Sequence, residues 1–232
     1  MDKKAVCLIS GGLDSAVSAF IAKDMDYDLF ALSFIYNQRH IKEIKSAKKI
    51  AKTLNVKKHI IFNIDIGSFG GSSLVDKSIK LEINHKIEDI GKEIPNTYVP
   101  ARNTIFLSIA LGFAEIIDAD TIFIGATAAD YSGYPDCKPE YFKAFQKMAD
   151  LATKKSLKGK KITIKTPIIN LNKSEIIKKG YKLGVPFEKT WSCYLGKEKA
   201  CGRCDSCLLR LKGFKKAGLR DPLKYEILPS WY

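Results

Sequence analysis

"VCLISGGLDSAV", Val6 to Val17, opens on an apolar run, turns through two glycines and continues with apolar residues at helical spacing. Strand, glycine turn and helix in that order aim backbone N–H groups and the positive end of a helix at one point, which favours an anion. Gly11 and Gly12 let the backbone come close, and Ser10 and Ser15 add hydroxyl donors. Neither G-x-x-x-x-G-K-[ST] nor G-x-G-x-x-G is present, so the turn lacks the lysine of a Walker loop. An ordinary tight connection with Asp14 or Ser15 as its cap gives the same local pattern. In an anion site Asp14 would repel phosphate unless it binds a cation or caps the helix, and the sequence leaves both roles open.

The rest of the chain repeats the alternation. Buried-looking apolar runs at Ala5–Ile9, Asp28–Tyr36, Lys58–Ile64, Thr121–Gly125 and Lys161–Lys165 predict strands, and amphipathic stretches at Ser15–Lys23, Ile41–Leu54, Asn103–Ile117, Glu140–Lys155 and Ser174–Leu183 predict helices. This is the pattern of an α/β protein with an open, mostly parallel sheet and helices on both faces, a Rossmann-like arrangement. The last helix has Asn172 as its N-cap, Glu175 three residues on and Gly184 as its stop. The stretch from Gly67 to Asn96 fits no regular period and is expected to be a long loop or lid over a site. After Thr190 cysteines, glycines and short basic runs take over, so residues 1–189 are read as the α/β domain and 190–232 as a compact appendage.

At 232 residues one domain with a sizeable core plus such an appendage is the natural capacity. The longest apolar stretch, Ile105 to Ala114, is far shorter than the roughly 20 residues of a membrane span, and no signal peptide is legible, so the expected location is the cytoplasm with no membrane partner. A formal net charge of +14 invites a polyanion, but only five of the basic residues are arginine and the lysines scatter along helices such as Lys42 to Lys52, which reads as a solvated face. No stable nucleic-acid partner is expected.

Cys193, Cys201, Cys204 and Cys207 follow the spacing C-x7-C-x2-C-x2-C, four thiolates able to close a tetrahedron with no open position, which is the chemistry of structural Zn²⁺. An iron–sulfur cluster is the rival occupant. Gly196 and Gly202 allow the turns between ligands, and Lys197, Lys199, Arg203 and Arg210 are placed to offset thiolate charge. In "DYSGYPDC", residues 130–137, two carboxylates, two tyrosines and a thiol share one loop after a predicted strand, the edge at which α/β sheets bind ligands. A turn with buried tyrosines is the alternative, and Cys137 reads as a packed thiol more than a nucleophile.

"SGGLDS" (10–15) resembles the pyrophosphate loop of the ATP-pyrophosphatase, or adenine nucleotide alpha-hydrolase-like, superfamily. "YNQRH" (36–40), "VPARNTIFLSIA" (99–110), "DYSGYPDCKPEYFKAF" (130–145) and "TWSCYLGKEKACGRCDSCLLRLKGF" (190–214) closely resemble the 7-cyano-7-deazaguanine synthase family within it, from Ala5 to about Pro222. The resemblance implies an ATP-pyrophosphatase fold with ATP held by Leu8, Ile9, Ser10, Gly11, Gly12, Leu13, Asp14, Ser15, Ala16, Val17 and Ser18, and a bond cut between the α and β phosphates. It implies Asp14, Arg102 and Lys173 as the catalytic set, Lys173 meeting ATP phosphates, and Arg102 with Asn103 as an oxyanion or phosphate clamp. Arg39 and His40 are expected to neutralise a substrate carboxylate, Asp130 or Asp136 to accept from a deazaguanine edge, and Tyr131 or Tyr134 to stack on its face. The implied reaction turns 7-carboxy-7-deazaguanine and ammonium into the nitrile, with ATP, Mg²⁺ and structural Zn²⁺, in a homodimer. A tRNA-modifying, adenylating enzyme of the same superfamily, lysidine-forming or thiolating, is the alternative reading.

Overall fold

Ala5, Cys7 and Ile9 join one hydrophobic core while Val6 and Leu8 join another, and all five are buried, as the two-residue period of a strand covered on both faces requires. In the computed structural model, which describes residues 3–128 and 134–232, this strand is β1 (Lys4–Leu8). It lies at the centre of a five-stranded sheet with β2 (Asp28–Ile35), β3 (Lys58–Asn63), β4 (Thr121–Phe123) and β5 (Thr163–Lys165), all pairings parallel, in the order β3-β2-β1-β4-β5. The chain reverses its direction of travel across the sheet between β1 and β4, and the carboxyl ends of these strands are where such sheets bind ligands.

One face carries α1 (Leu13–Asp24), α2 (Lys42–Leu54) and α6 (Lys173–Lys182); the other carries α3 (Arg102–Ile116) and α4 (Pro139–Ala152). α2 buries Ile44, Ala47, Ile50, Ala51 and Leu54 and turns Lys45, Lys48, Lys49 and Lys52 to solvent, the split its periodicity predicts. α6 starts on the expected capping box: Asn172 accepts from the Ser174 and Glu175 amides and the Glu175 carboxylate accepts from the Asn172 amide.

Two elements differ from the sequence reading. The helix expected over Glu140–Lys155 breaks at Thr153, whose hydroxyl accepts from Ser156 N and starts a separate turn, α5 (Lys154–Leu157). There Lys155 is buried against Asp118 and Asp120 at 2.9 and 3.1 Å. The Gly67–Asn96 segment is irregular apart from a 3-10 turn at Ile66–Phe69, as expected for a loop. The stretch after Thr190 contains a full helix, α7 (Asp205–Ala217), that packs along α6 and sends Phe214 into the core beside Phe187. Among the described residues no helix is long and apolar enough to cross a membrane.

Candidate active site

The glycine turn leaves β1 at Ser10 and enters α1 through Gly12. Gly11 has φ +90°, and a side chain there would run into the carbonyl of Glu43 and the amide of Ala47, so α2 closes directly onto the turn and the position requires glycine. Its carbonyl accepts from Trp191 N at 2.8 Å, tying in the C-terminal segment. The two serine hydroxyls face each other at 2.9 Å, and Ser15 Oγ donates to Gly12 O at 3.0 Å. They stiffen the turn. The N–H groups of the first turn of α1 have no side-chain cap and open on a cavity of about 270 Å³ that Gly12, Leu13, Asp14 and Ser15 line. Gly125, just past β4, presses its backbone on Asp14 and Ser15; a methyl group there would sit 2.7 Å from Asp14 C and O.

Of the residues the resemblance assigns to ATP, Leu8, Ile9, Ser10, Gly12, Leu13, Asp14 and Ser15 line this cavity. Ala16, Val17 and Ser18 are buried under it and face the protein interior, and Gly11 is turned to α2.

Charge enters the cavity from three sides. Lys173, the first residue of α6, pairs with both carboxylate oxygens of Asp14 at 2.7 and 2.8 Å, with side-chain exposures of 12% and 30%. Asp14 is thus an ion-pair partner in the first turn, and Gly12 holds the N-cap position. Arg102, the first residue of α3, donates to Tyr36 OH at 3.2 Å. Glu43 projects from the first turn of α2 and lines the same cavity. Burial pushes its carboxyl up to about 7, against the pull of the Arg102 guanidinium. Between these groups Phe34 and Phe106 stack 3.9 Å apart and 2° from parallel, giving a flat apolar wall.

The 134–137 turn is pinned to the start of α3. Asp136 Oδ2 accepts from Asn103 N at 3.0 Å, and Asn103 Nδ2 donates to Asp136 O at 3.1 Å and toward Cys137 Sγ at 3.3 Å. Asp136 therefore serves the otherwise uncapped α3 amide and does not line the cavity, whereas Tyr134, Asn103 and Cys137 do. The Cys137 thiol is pushed up to about 12 by burial, with Asp136 adding to it, so it stays protonated and packed. Asp130 and Tyr131 lie outside the described residues.

Arg39 and His40 stand elsewhere than the sequence reading expected. The Arg39 guanidinium donates to the carbonyls of Ser73, Asp76 (3.2 Å) and Ile79 (2.6 Å), holding the Gly67–Asn96 loop. His40 is half-buried and its pKa is lowered by that burial, so the ring is neutral. Its Nε2 donates to Cys193 O at 3.0 Å while Nδ1 accepts from Lys42 N at 3.3 Å. Both side chains are committed to the backbone of neighbouring segments, and neither lines the cavity.

Cys193, Cys201, Cys204 and Cys207 are all buried, with sulfur atoms within 4.8 Å of one another. Backbone amides of Cys201, Arg203 and Cys204 donate to Sγ atoms at 3.3 Å, which favours thiolates, and Trp191 Nε1 joins His40 on the Cys193 carbonyl. Such a set can hold one four-coordinate metal ion; tetrahedral bonds of about 2.3 Å need only a small contraction. Arg210, expected to offset thiolate charge, instead forms a buried bidentate pair with Asp221 at 2.6 and 2.9 Å and donates to Thr190 Oγ1 at 2.7 Å.

The sequence reading missed Glu43, Tyr36 and the Phe34–Phe106 wall as parts of the site. The available signal for Glu43 was its place as the sole acid in a lysine-rich helix, three residues after "QRH".

The model of the family described as "Queuosine biosynthesis protein QueC" matches residues 4–218 of this chain. Among curated relatives, 7-cyano-7-deazaguanine synthase of Desulfatibacillum aliphaticivorans is 55% identical over 226 residues, covering 96% of this chain and 97% of that protein. The synthase of the same name from Thermoplasma acidophilum is 54% identical over 231 residues, covering 99% and 95%. Among solved structures, NMN synthetase from Francisella tularensis shares the fold with a TM-score of 0.51 at 18% identity, over 94% of this chain and 79% of that one.

Proposed function

Since the chain belongs to the QueC family of queuosine biosynthesis proteins, we propose that it converts 7-carboxy-7-deazaguanine and ammonia into 7-cyano-7-deazaguanine in two ATP-dependent rounds at one site. The observation that carries the reading is the uncapped first turn of α1 and the Lys173–Asp14 pair on one cavity beside a glycine turn that lacks a Walker lysine. In the first round a carboxylate oxygen of the substrate attacks the α-phosphorus, and pyrophosphate leaves against the α1 amides and Lys173. Ammonia displaces AMP from the acyl adenylate to give the amide. In the second round the amide oxygen is adenylated, and loss of AMP leaves the nitrile.

Arg102 brings positive charge to the wall where the acid would enter, and the Phe34–Phe106 wall and Tyr134 supply surfaces for a flat base. Mg²⁺ would be held through Asp14, the carboxylate of the α1 turn, and when bound it supplies Lewis-acid charge on the phosphates. Zn²⁺ would be held by the four cysteines, a donor set with no open position, and would serve to fold residues 190–232 onto the α/β domain of residues 1–189. The remaining parts of the reading are free ammonium as nitrogen source, a homodimer, the cytoplasm, and no stable nucleic-acid partner.

The test is incubation with ATP, ammonium and the carboxy-deazaguanine. The reading expects AMP, pyrophosphate and a product with the mass of the nitrile. AMP formed with tRNA and not with the acid would instead favour a tRNA-modifying adenylating enzyme.

A further inference from the structure

Making an amide from an acyl adenylate at neutral pH poses a proton problem that the phosphate-binding groups do not solve. Ammonia in water is mostly ammonium, which has no lone pair, so a group beside the acyl carbon has to remove a proton before attack. The cavity wall offers few candidates. Asp14 is held by Lys173 on both oxygens. Tyr36 and Tyr134 are raised by burial above the ordinary phenol value and stay protonated, as does the Cys137 thiol. Lys173, Arg102 and Arg210 are cations bound to other groups. Asp136 stands off the wall and faces the α3 amide.

Glu43 is different. It lines the cavity from the first turn of α2, and the neighbouring cation that acts on its carboxylate is the Arg102 guanidinium, already bound to Tyr36 OH. Its own carbonyl lies against Gly11, which fixes the helix turn that carries it beside the phosphate loop. The charged and titratable groups facing it are Arg102 from α3 and Tyr36 from the end of β2. A carboxylate so placed attracts a small cation and has free lone pairs for its N–H bonds.

Resting on the reaction given above, we propose that Glu43 is the ammonium-binding group and the proton acceptor for amide formation. One N–H bond of ammonium breaks and an O–H bond forms on Glu43. The freed lone pair then makes the C–N bond to the acyl carbon, and the C–O bond to AMP breaks with its electron pair leaving on the AMP phosphate. The surplus proton on nitrogen passes to that phosphate. In the second round Glu43, having returned its proton to solvent, takes an N–H proton from the O-adenylated amide; the C–O bond to AMP then breaks with its electron pair leaving on the AMP phosphate, which takes up the last N–H proton as the nitrile forms. The carboxyl's raised pKa, close to neutrality, suits both directions of transfer.

The test separates adenylation from nitrogen transfer. Acid-dependent exchange of labelled pyrophosphate into ATP reads adenylation alone. Hydroxylamine, uncharged at neutral pH, traps the acyl adenylate as a hydroxamate without needing a base. In Glu43→Gln, exchange and hydroxamate formation are expected to stay near wild type while amide formation from ammonium falls at least about 100-fold, the usual scale for a lost general base. Glu43→Asp, which keeps a carboxylate, is expected to recover part of the ammonium reaction. Amide formation from ammonium at the wild-type rate in Glu43→Gln overturns the assignment. So does a parallel loss of exchange in both variants, because it places Glu43 in ATP binding or in the fold. If the wild-type protein itself shows no acid-dependent exchange, the fault lies with the proposed function and not with Glu43.

Discussion

Replacing Arg210 by Met should destabilise the protein more than any change on its surface. Arg210 is 2% exposed and its partner Asp221 is fully buried. The guanidinium donates twice to Asp221, and to Thr190 Oγ1, Phe187 O (3.1 Å) and Ser192 Oγ (3.5 Å), so one side chain joins α7 to the segment before the cysteines and to the chain after it. Met fills much of the same volume but leaves the Asp221 charge in the interior with two donors, Tyr225 OH at 2.6 Å and Leu223 N at 3.1 Å. Removing one member of a buried ion pair costs about 3–5 kcal/mol. For a domain of this size 1 kcal/mol moves the melting temperature by about 2–4 °C, which gives a fall of roughly 6–20 °C. Asp221→Leu, removing the orphaned charge in turn, should recover at least about half of the loss when combined with Arg210→Met. The assay is a double-mutant cycle by thermal and urea unfolding with zinc held at one concentration. A loss below about 1 kcal/mol for Arg210→Met, or a double variant whose loss equals the sum of the two singles, would refute the argument that an unpaired buried charge dominates.

Other parts of the account are testable at single positions. Gly125→Ala adds a methyl group 2.7 Å from the Asp14 carbonyl, so the first turn of α1 must shift; KM for ATP should rise at least about tenfold with the zinc content unchanged, since misplacing a positioning element by an ångström can cost up to about 100-fold. Lys173→Met should lower the pyrophosphate-exchange rate by about 100-fold or more, the scale for one charge-stabilising donor, and an unchanged rate would remove Lys173 from the phosphate site. Cys204→Ser breaks the set of four thiols and should drop bound zinc from about one per chain to near zero while exposing Trp191, seen as a red shift in its fluorescence.

How far the sequence could be read depended on the range of the forces involved. All five strands and the helices flanking the sheet were legible because each is decided by a local pattern, a continuous apolar run for Ala5–Ile9 and a period near 3.6 for Ile44–Leu54. The glycine turn was legible for the same reason, and so were the four cysteines, whose spacing is a property of a few neighbouring residues. α7 was hidden because its pattern breaks the usual exposure rule: Asp205 and Arg210 are both buried, one against His85 at 2.9 Å and the other against Asp221. The placing of Arg39 and His40 depends on partners 34 or more and 153 residues away, the Ser73–Ile79 carbonyls and Cys193, and no local signal carries that information. Glu43 was absorbed into a lysine-rich solvated face because the neighbours that set it apart, Gly11 against its backbone carbonyl and the Arg102 charge, are brought beside it only by the folded sheet.

The central claim is that oxygen leaves the substrate as part of AMP, one atom in each round, and it can be followed directly. With both carboxylate oxygens of 7-carboxy-7-deazaguanine labelled as ¹⁸O, mass spectrometry of the products should find the nitrile free of label and two molecules of AMP, each carrying one ¹⁸O on its phosphorus. Label released to water, or ADP and orthophosphate in place of AMP and pyrophosphate, would contradict it.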